Sequence, residues 1–194
     1  MLIPEFMENP ILIFLFTCAS LAWAQPASTQ TSSYASIVTS AEQASPQDLH
    51  SIEGIISATY DAISCPAGKK REWDRFPRLF YPGGRLIPNP ESPLVSTAES
   101  RVMSPEDYIR RWPPVEKRGF LMRGISNKIE HYRDIAHVFS TYELRHKADD
   151  AQPFQRGIAS FQLFNDGKRW YVITMLWEGE TPENPIPAEY LKGK

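Results

Sequence analysis

The sequence predicts an α+β domain in which helices cover one face of a curved antiparallel sheet. Two stretches combine a helix start signal with apolar residues spaced three and four apart. Four stretches rich in β-branched and aromatic residues then follow in series, joined by short links that are typical of antiparallel neighbours. Because the strands follow the helices instead of alternating with them, the order favours α+β over α/β.

The first helix is predicted to begin at Ser45 and Pro46, a capping residue followed by a residue suited to the first turn. Tyr60 lies within its apolar stripe, so the tyrosine hydroxyl needs a buried partner. The stripe consists of Leu49, Ile52, Ile56, Tyr60 and Ile63.

Two shorter elements come next. The stretch "KREWDRFPRLF" (70–80) predicts a second helix that buries Trp73, Phe76 and Phe80, followed by a short strand from Arg85 to Ile87. "SPEDYIRRW" (104–112) predicts a third helix, because Ser104 can cap it, Pro105 can open it and Asp107 makes its first turn acidic.

Four strands are predicted at 120–132, 135–146, 156–165 and 169–179, and "NDGK" (165–168) predicts a tight turn between the last two. Residues two apart in a strand share a face. The helix-facing set is therefore predicted to be Ala136, Val138, Ser140, Tyr142, Leu144, Ala159, Phe161, Leu163, Tyr171, Ile173, Met175 and Trp177. The outer set is predicted to be His137, Thr141, Glu143, Ser160, Gln162, Val172, Thr174, Leu176 and Glu178, while Ile125, Ile129, Arg123, Asn127 and His131 share one face of strand 120–132.

The outer face mixes polar residues with large apolar ones, a pattern more typical of an oligomer interface than of catalysis. We therefore expect a homodimer through this face, around Phe139, Gln162 and Leu176. The alternative, that the row through His137 is catalytic, stays open.

The ends of the chain carry different signals. An apolar run ending in Ala22-Trp23-Ala24 predicts a signal peptide over 1–24, cleaved after Ala24, and hence a secreted or periplasmic protein with no stable membrane span. Its first residues hold acids but no bases, so an uncleaved anchor is the alternative. Residues 25–45 then form a disordered tether, 46–180 the domain, and 181–194 a Pro-rich extended tail.

Charge and motifs exclude several classes of function. Without residues 1–24 the chain has 21 basic and 21 acidic residues, which argues against nucleic acid as a partner. The sequence has no P-loop, GxGxxG, HExxH or GxSxG motif, so no cofactor is expected. His131, Asp134 and His137 are close in sequence, but the alternation puts the two histidines on opposite faces, so no metal site is predicted. Cys18 is expected to leave with the signal peptide, so Cys65 remains as the single cysteine and is expected to be structural.

Three stretches, "IEGIISATYDAIS", "WDRFPRLFYPGGRLI" and "FQLFNDGKRWYVITMLWE", resemble the nuclear transport factor 2-like superfamily, with its SnoaL-like and ketosteroid-isomerase-like members. The resemblance covers about 46–180 and implies a cone-shaped, cystatin-like fold with a pocket, and dimers formed through the outer sheet face. It also implies that Tyr60 is the oxyanion donor of the ketosteroid-isomerase-like members. Their aspartate base is expected just after the first strand, where this chain has Pro88 and Asn89, and neither can serve as a base.

We therefore expect a small apolar ligand in the cone, with Tyr60, Tyr142 and Trp177 lining the pocket. Polar contacts would come from Asn127, His131 and Ser140. The first alternative is an isomerase, hydratase or cyclase with His131 as base and Tyr60 as oxyanion donor. The second is a protein-binding scaffold that uses the outer face, and plain core packing remains an alternative for the aromatic residues.

Overall fold

A computed structural model describes residues 49–89 and 101–192. Its helices are α1 (Ile52–Ile63) and α2 (Pro105–Arg111), with short 3₁₀ turns at Pro77–Leu79 and Ala188–Tyr190. Its strands are β1 (Phe80–Pro88), β2 (Leu121–Tyr132), β3 (Ile135–Arg145), β4 (Gln155–Asn165) and β5 (Trp170–Gly179). Across these two ranges, no helix has the length and hydrophobicity that a membrane crossing requires. The predicted signal peptide and tether lie outside the described residues.

The five strands form one curved sheet in the order β1-β5-β4-β3-β2. β2 to β5 are antiparallel neighbours, as predicted, but β1 pairs with β5 in parallel. The sheet is therefore mixed. The first strand enters at the edge beside the last one, and long-range pairing of this kind has no local sequence signal. The α+β class is confirmed.

Helix α1 begins later than predicted, because Ser51 and not Ser45 caps it and accepts a hydrogen bond from the Gly54 amide. Ser45 itself lies outside the described residues. At the other end, Ser64 Oγ accepts from the Met122 amide at 2.9 Å and ties the helix to β2. The helix thus packs along β2, an edge strand, and its apolar stripe joins the core.

The predicted helix over 70–80 is wrong. This segment is a set of turns ending in the 3₁₀ turn Pro77–Leu79, and Phe80 already starts a nine-residue β1. The predicted burial of Phe76 and Phe80 is nevertheless right, and their rings meet edge to face at 5.1 Å, whereas Trp73 is only half-buried. A series of turns can bury aromatic residues at the same spacing as one face of a helix, and we interpreted that spacing as a helix.

Helix α2 agrees with its prediction in detail. Ser104 accepts from the Asp107 amide, and the Asp107 carboxylate accepts from the Ser104 amide, which is a complete capping box. The hydrogen bond from the Ser104 amide lowers the pKa of the Asp107 carboxyl below its ordinary value, although desolvation acts in the opposite direction. Tyr108 on this helix is buried and faces the sheet.

The predicted alternation holds in β3 and β4, where the helix-facing residues are buried. In β5 it is wrong before Ile173, because a bulge changes the register between Val172 and Thr174. Val172 is fully buried in the core, and Tyr171 packs on the outer face against Tyr81.

A bulge in β2, between Gly124 and Ser126, has the same effect. Asn127 lies across from Ser140 on the helix side, whereas Arg123 pairs with Glu143 on the outer side. Our assignment of Arg123 and Asn127 to one face is therefore wrong.

The C-terminal segment is packed instead of extended. Tyr190 stacks on Phe139 with ring centroids 5.8 Å apart, and its carbonyl accepts from Thr141 Oγ1 at 2.6 Å. The Lys192 carbonyl accepts from Ser126 Oγ, so the segment crosses the outer faces of β2 and β3. It covers part of the face that we predict to be the dimer interface.

Candidate functional site

A cleft of about 590 Å³ opens between α2 and the C-terminal end of β5. Aromatic side chains form most of its walls, and two predicted ligand residues, Tyr142 and Trp177, are among them. Its other large apolar walls are Tyr108, Trp112, Phe120 and Met175. A volume of this size is in the range of small-molecule sites, which are about 300–1,000 Å³.

Arg71, which is buried, supports the back wall of the cleft, although we predicted the charge run Lys69-Lys70-Arg71 to be solvated. Its guanidinium lies 3.9 Å from the Trp112 ring centroid, donates to the Ile63 carbonyl and pairs with Glu116 at 2.8 Å. Burial opposes ionisation of Glu116, but hydrogen bonds from the Arg118 amide and from Arg71 lower its pKa below the ordinary value. Trp112 is therefore fixed against a stable ion pair.

Acidic residues stand at the mouth of the cleft. Glu178 Oε1 accepts from Asn89 Nδ2 at 2.8 Å, so the residue that replaces the expected aspartate base holds a carboxylate from β5. We predicted Glu178 on the outer face, and its pairing with Ile158 in the β4–β5 register agrees, but we did not predict that it lines the cleft. Alternation gives the face of a strand residue and does not show which residues at a strand end border a cleft.

Tyr142 connects the mouth to the interior. Burial raises the pKa of its hydroxyl well above the ordinary value, and the negative charge of Glu178 raises it further. The phenol therefore stays protonated and can donate a hydrogen bond. Its ring lies 6.3 Å from that of Tyr60.

A second cavity, of about 540 Å³, lies between α1 and the edge strand β2. Tyr60 and Asn127 line it, and Ser140 is directly opposite Asn127 on β3. Tyr60 Oη, Asn127 Oδ1 and Ser140 Oγ are all buried, and none meets hydrogen-bond geometry with another described group. An unpaired buried polar atom costs about 1–3 kcal/mol, so the cluster is suited to a water or a ligand oxygen.

Burial raises the pKa of the Tyr60 hydroxyl far above its ordinary value, and the nearby Ser140 hydroxyl offsets only part of the rise. Tyr60 is thus a permanent donor, as the oxyanion role requires. The proposed base does not face it, because His131 is exposed, contacts the Arg133 carbonyl and packs on Trp170. Of the six predicted ligand residues, Tyr142 and Trp177 therefore line the first cavity and Tyr60 and Asn127 line the second. Ser140 and His131 line neither of these two cavities.

The His137 row forms a polar chain on the outer face. His137 Nε2 lies 3.1 Å from Ser160 Oγ, and its Nδ1 lies 3.6 Å from the exposed Glu130 carboxylate. The row lines neither of the two cavities described above. The described residues contain no group of three or more histidine, cysteine or carboxylate side chains positioned for a metal ion.

No protein-family model matches the chain, and no curated protein matches it. A protein of unknown function with a cystatin-like fold from Nostoc punctiforme is similar in structure, with a TM-score of 0.50 and 12% identity over 70% of this chain and 92% of that one. A Parabacteroides distasonis protein provisionally named a ketosteroid isomerase gives a TM-score of 0.46 and 14% identity, over 71% of this chain and 98% of that one.

A nuclear transport factor 2-like protein of unknown function from Shewanella baltica gives a TM-score of 0.41 and 11% identity, over 79% of this chain and 98% of that one. At these identities the likeness concerns the fold. The predicted fold is confirmed at that level: the chain has a cystatin-like fold.

Proposed function

We propose that this protein is an exported single-domain receptor that binds a small, largely apolar molecule in the cleft between α2 and β5. The observation that carries the proposal is the cleft itself, about 590 Å³ in volume and walled by aromatic side chains. Burying one aromatic ring of a ligand against such walls contributes about 1.5–3 kcal/mol. The signal peptide that the sequence predicts would give the protein a role outside the cytoplasm.

The packed interior of the cone favours ligand binding at the mouth of the cone. Val138, Ala159 and Phe161 are fully buried and fill the middle of the sheet's concave face. A ligand can therefore reach Trp177 and Tyr142 from outside without displacing the core. This arrangement is typical of sites that are largely formed before the ligand binds.

The test is native mass spectrometry of protein purified from its own exported fraction, followed by titration with 2-phenylethanol, a neutral apolar probe. We expect a mature chain that begins at Gln25 and carries a small-molecule adduct. Trp177→Ala should lose the adduct and weaken the probe at least 10-fold. Tyr132→Ala, which removes a 72% exposed aromatic residue outside the cleft, is the matched control. A chain with no adduct and no saturable probe binding would overturn the proposal.

The buried polar cluster favours a second function, in which Tyr60 donates to a ligand oxygen in the α1–β2 cavity. Removing that donor alone, by Tyr60→Phe, should weaken a ligand bound there about 2–10-fold. The same substitution should leave 2-phenylethanol binding in the cleft unchanged. Equal loss at both cavities would mean that Tyr60 acts only through packing.

For assembly, we propose a homodimer through the outer sheet face. Five strands of about ten residues present roughly 800 Å², which is the area per partner of a standard interface. Leu176 is 38% exposed on this face, and Gln162 beside it is exposed. Because the C-terminal segment lies over Phe139, it would form part of the contact with the second copy.

A further inference from the structure

The charges around the cleft are not balanced. Glu180 is paired with Arg156 through two nitrogen–oxygen contacts and also accepts from the Ile186 amide, so its charge is compensated. Glu178 has no ion-pair partner within 4 Å among the residues that the structure describes. Arg111 is the basic residue among those that line the cleft, and it already has an interaction partner.

Glu178 is also positioned to meet a ligand. Both of its hydrogen-bond donors within the described chain, Asn89 Nδ2 and the Gly179 amide, bind Oε1. These two bonds fix the carboxylate and leave Oε2 to accept from another donor. Glu178 raises the pKa of Tyr142, so the negative charge of Glu178 acts on a residue that lines the cleft.

The aromatic walls of the cleft also attract positive charge. The face of an aromatic ring carries a negative quadrupole and attracts cations, most strongly for tryptophan. Trp177 and Glu178 both line the cleft, and the Trp177 ring meets that of Tyr108 edge to face at 5.9 Å. A carboxylate that shares a cleft with such rings is a combination suited to organic ammonium groups.

Resting on the proposed function of the cleft, we infer that its ligand is an organic cation, a protonated amine on an apolar or aromatic body. The ammonium group lies at Glu178, and the apolar body lies against Trp177 and Phe120. Asn89 is then a positioning residue, since it orients the carboxylate without contacting the ligand.

Three probes with the same ring and similar length test the charge: 2-phenylethylamine, 2-phenylethanol and 3-phenylpropanoate. Their dissociation constants are measured by tryptophan fluorescence at pH 7 in low salt. We expect the amine to bind about 5–10-fold more tightly than the alcohol, and the carboxylate to bind most weakly. Because Glu178 is exposed, 0.5 M NaCl should reduce the preference for the amine.

Glu178→Gln should abolish the preference for the amine over the alcohol. Glu183→Gln removes an exposed carboxylate outside the cleft and should preserve the preference. Equal binding of the three probes, tightest binding of the carboxylate, or an amine preference that survives Glu178→Gln would each overturn the inference while leaving a ligand cleft in place. Failure of all three probes to bind would contradict the proposed function itself.

Discussion

Gly157 on β4 is the position where one methyl group should disturb the cleft most. A Cβ atom at this residue would lie 2.6 Å from Tyr142 Cζ, and nearer still to the Tyr142 hydroxyl and the Glu178 carbonyl oxygen. Ordinary contact begins at 3.4 Å, so both neighbours would have to move by about 1 Å. One of these atoms is backbone, which cannot rotate away as the end of a side chain can.

We therefore expect Gly157→Ala to destabilise the fold by about 1–3 kcal/mol, as overpacking of a core does. For a chain of this length, that corresponds to a fall of roughly 2–12 °C in Tm. Thermal and urea unfolding followed by circular dichroism measure the loss. Because Tyr142 and Glu178 move together, 2-phenylethylamine binding should weaken as well.

Gly179 provides the matched control, since it is directly opposite Gly157 in the β4–β5 ladder. A Cβ there would meet only the end of the Gln155 side chain, at 3.0 Å, and that amide can shift. Gly179→Ala should therefore cost much less stability. If both variants unfold at the same temperature, the close approach at Gly157 does not constrain the cleft.

Two further outcomes test the outer face. Phe139→Asp should convert a dimer to a monomer in light scattering, because it places a charge within the proposed interface, and dimers that persist would exclude this interface. Glu143 is buried, and hydrogen bonds from Arg145 and then Arg123 lower its pKa below 4.5, against the effect of burial. Its ion pairs therefore stabilise the fold above about pH 4.5 and are lost as the pH falls through the lower, folded-state pKa. Glu143→Gln should cost about 1–3 kcal/mol in urea unfolding at pH 7 and much less at pH 3, whereas an equal loss at both pH values would refute this origin.

Regular alternation made β3 and β4 predictable. Val138 and Phe161 alternate with more polar neighbours, so their burial follows from a period of two. In β5 the residues before Thr174 are apolar on both faces, and the sequence around Ile173 gives no signal of a bulge. Alternation could therefore predict the strand but not the burial of Val172.

The candidate site was predicted only in part, because its residues come from distant segments. Tyr142 and Trp177 were found as aromatic residues on the concave face. Asn89 and Glu178 meet only because β1 pairs in parallel with β5, which places Pro88 opposite Trp177. A sequence read as a purely antiparallel meander cannot bring these two side chains together.

The parallel pairing of β1 with β5 also brings a carboxylate to the mouth of the cleft. Asn89 cannot take up a proton, but it donates to a carboxylate that reaches the same mouth from the neighbouring strand. This carboxylate, Glu178, is exposed at the end of β5, and its charge raises the pKa of Tyr142. An exposed carboxylate anchors a cation through its charge, so this arrangement favours binding of a cation over proton abstraction.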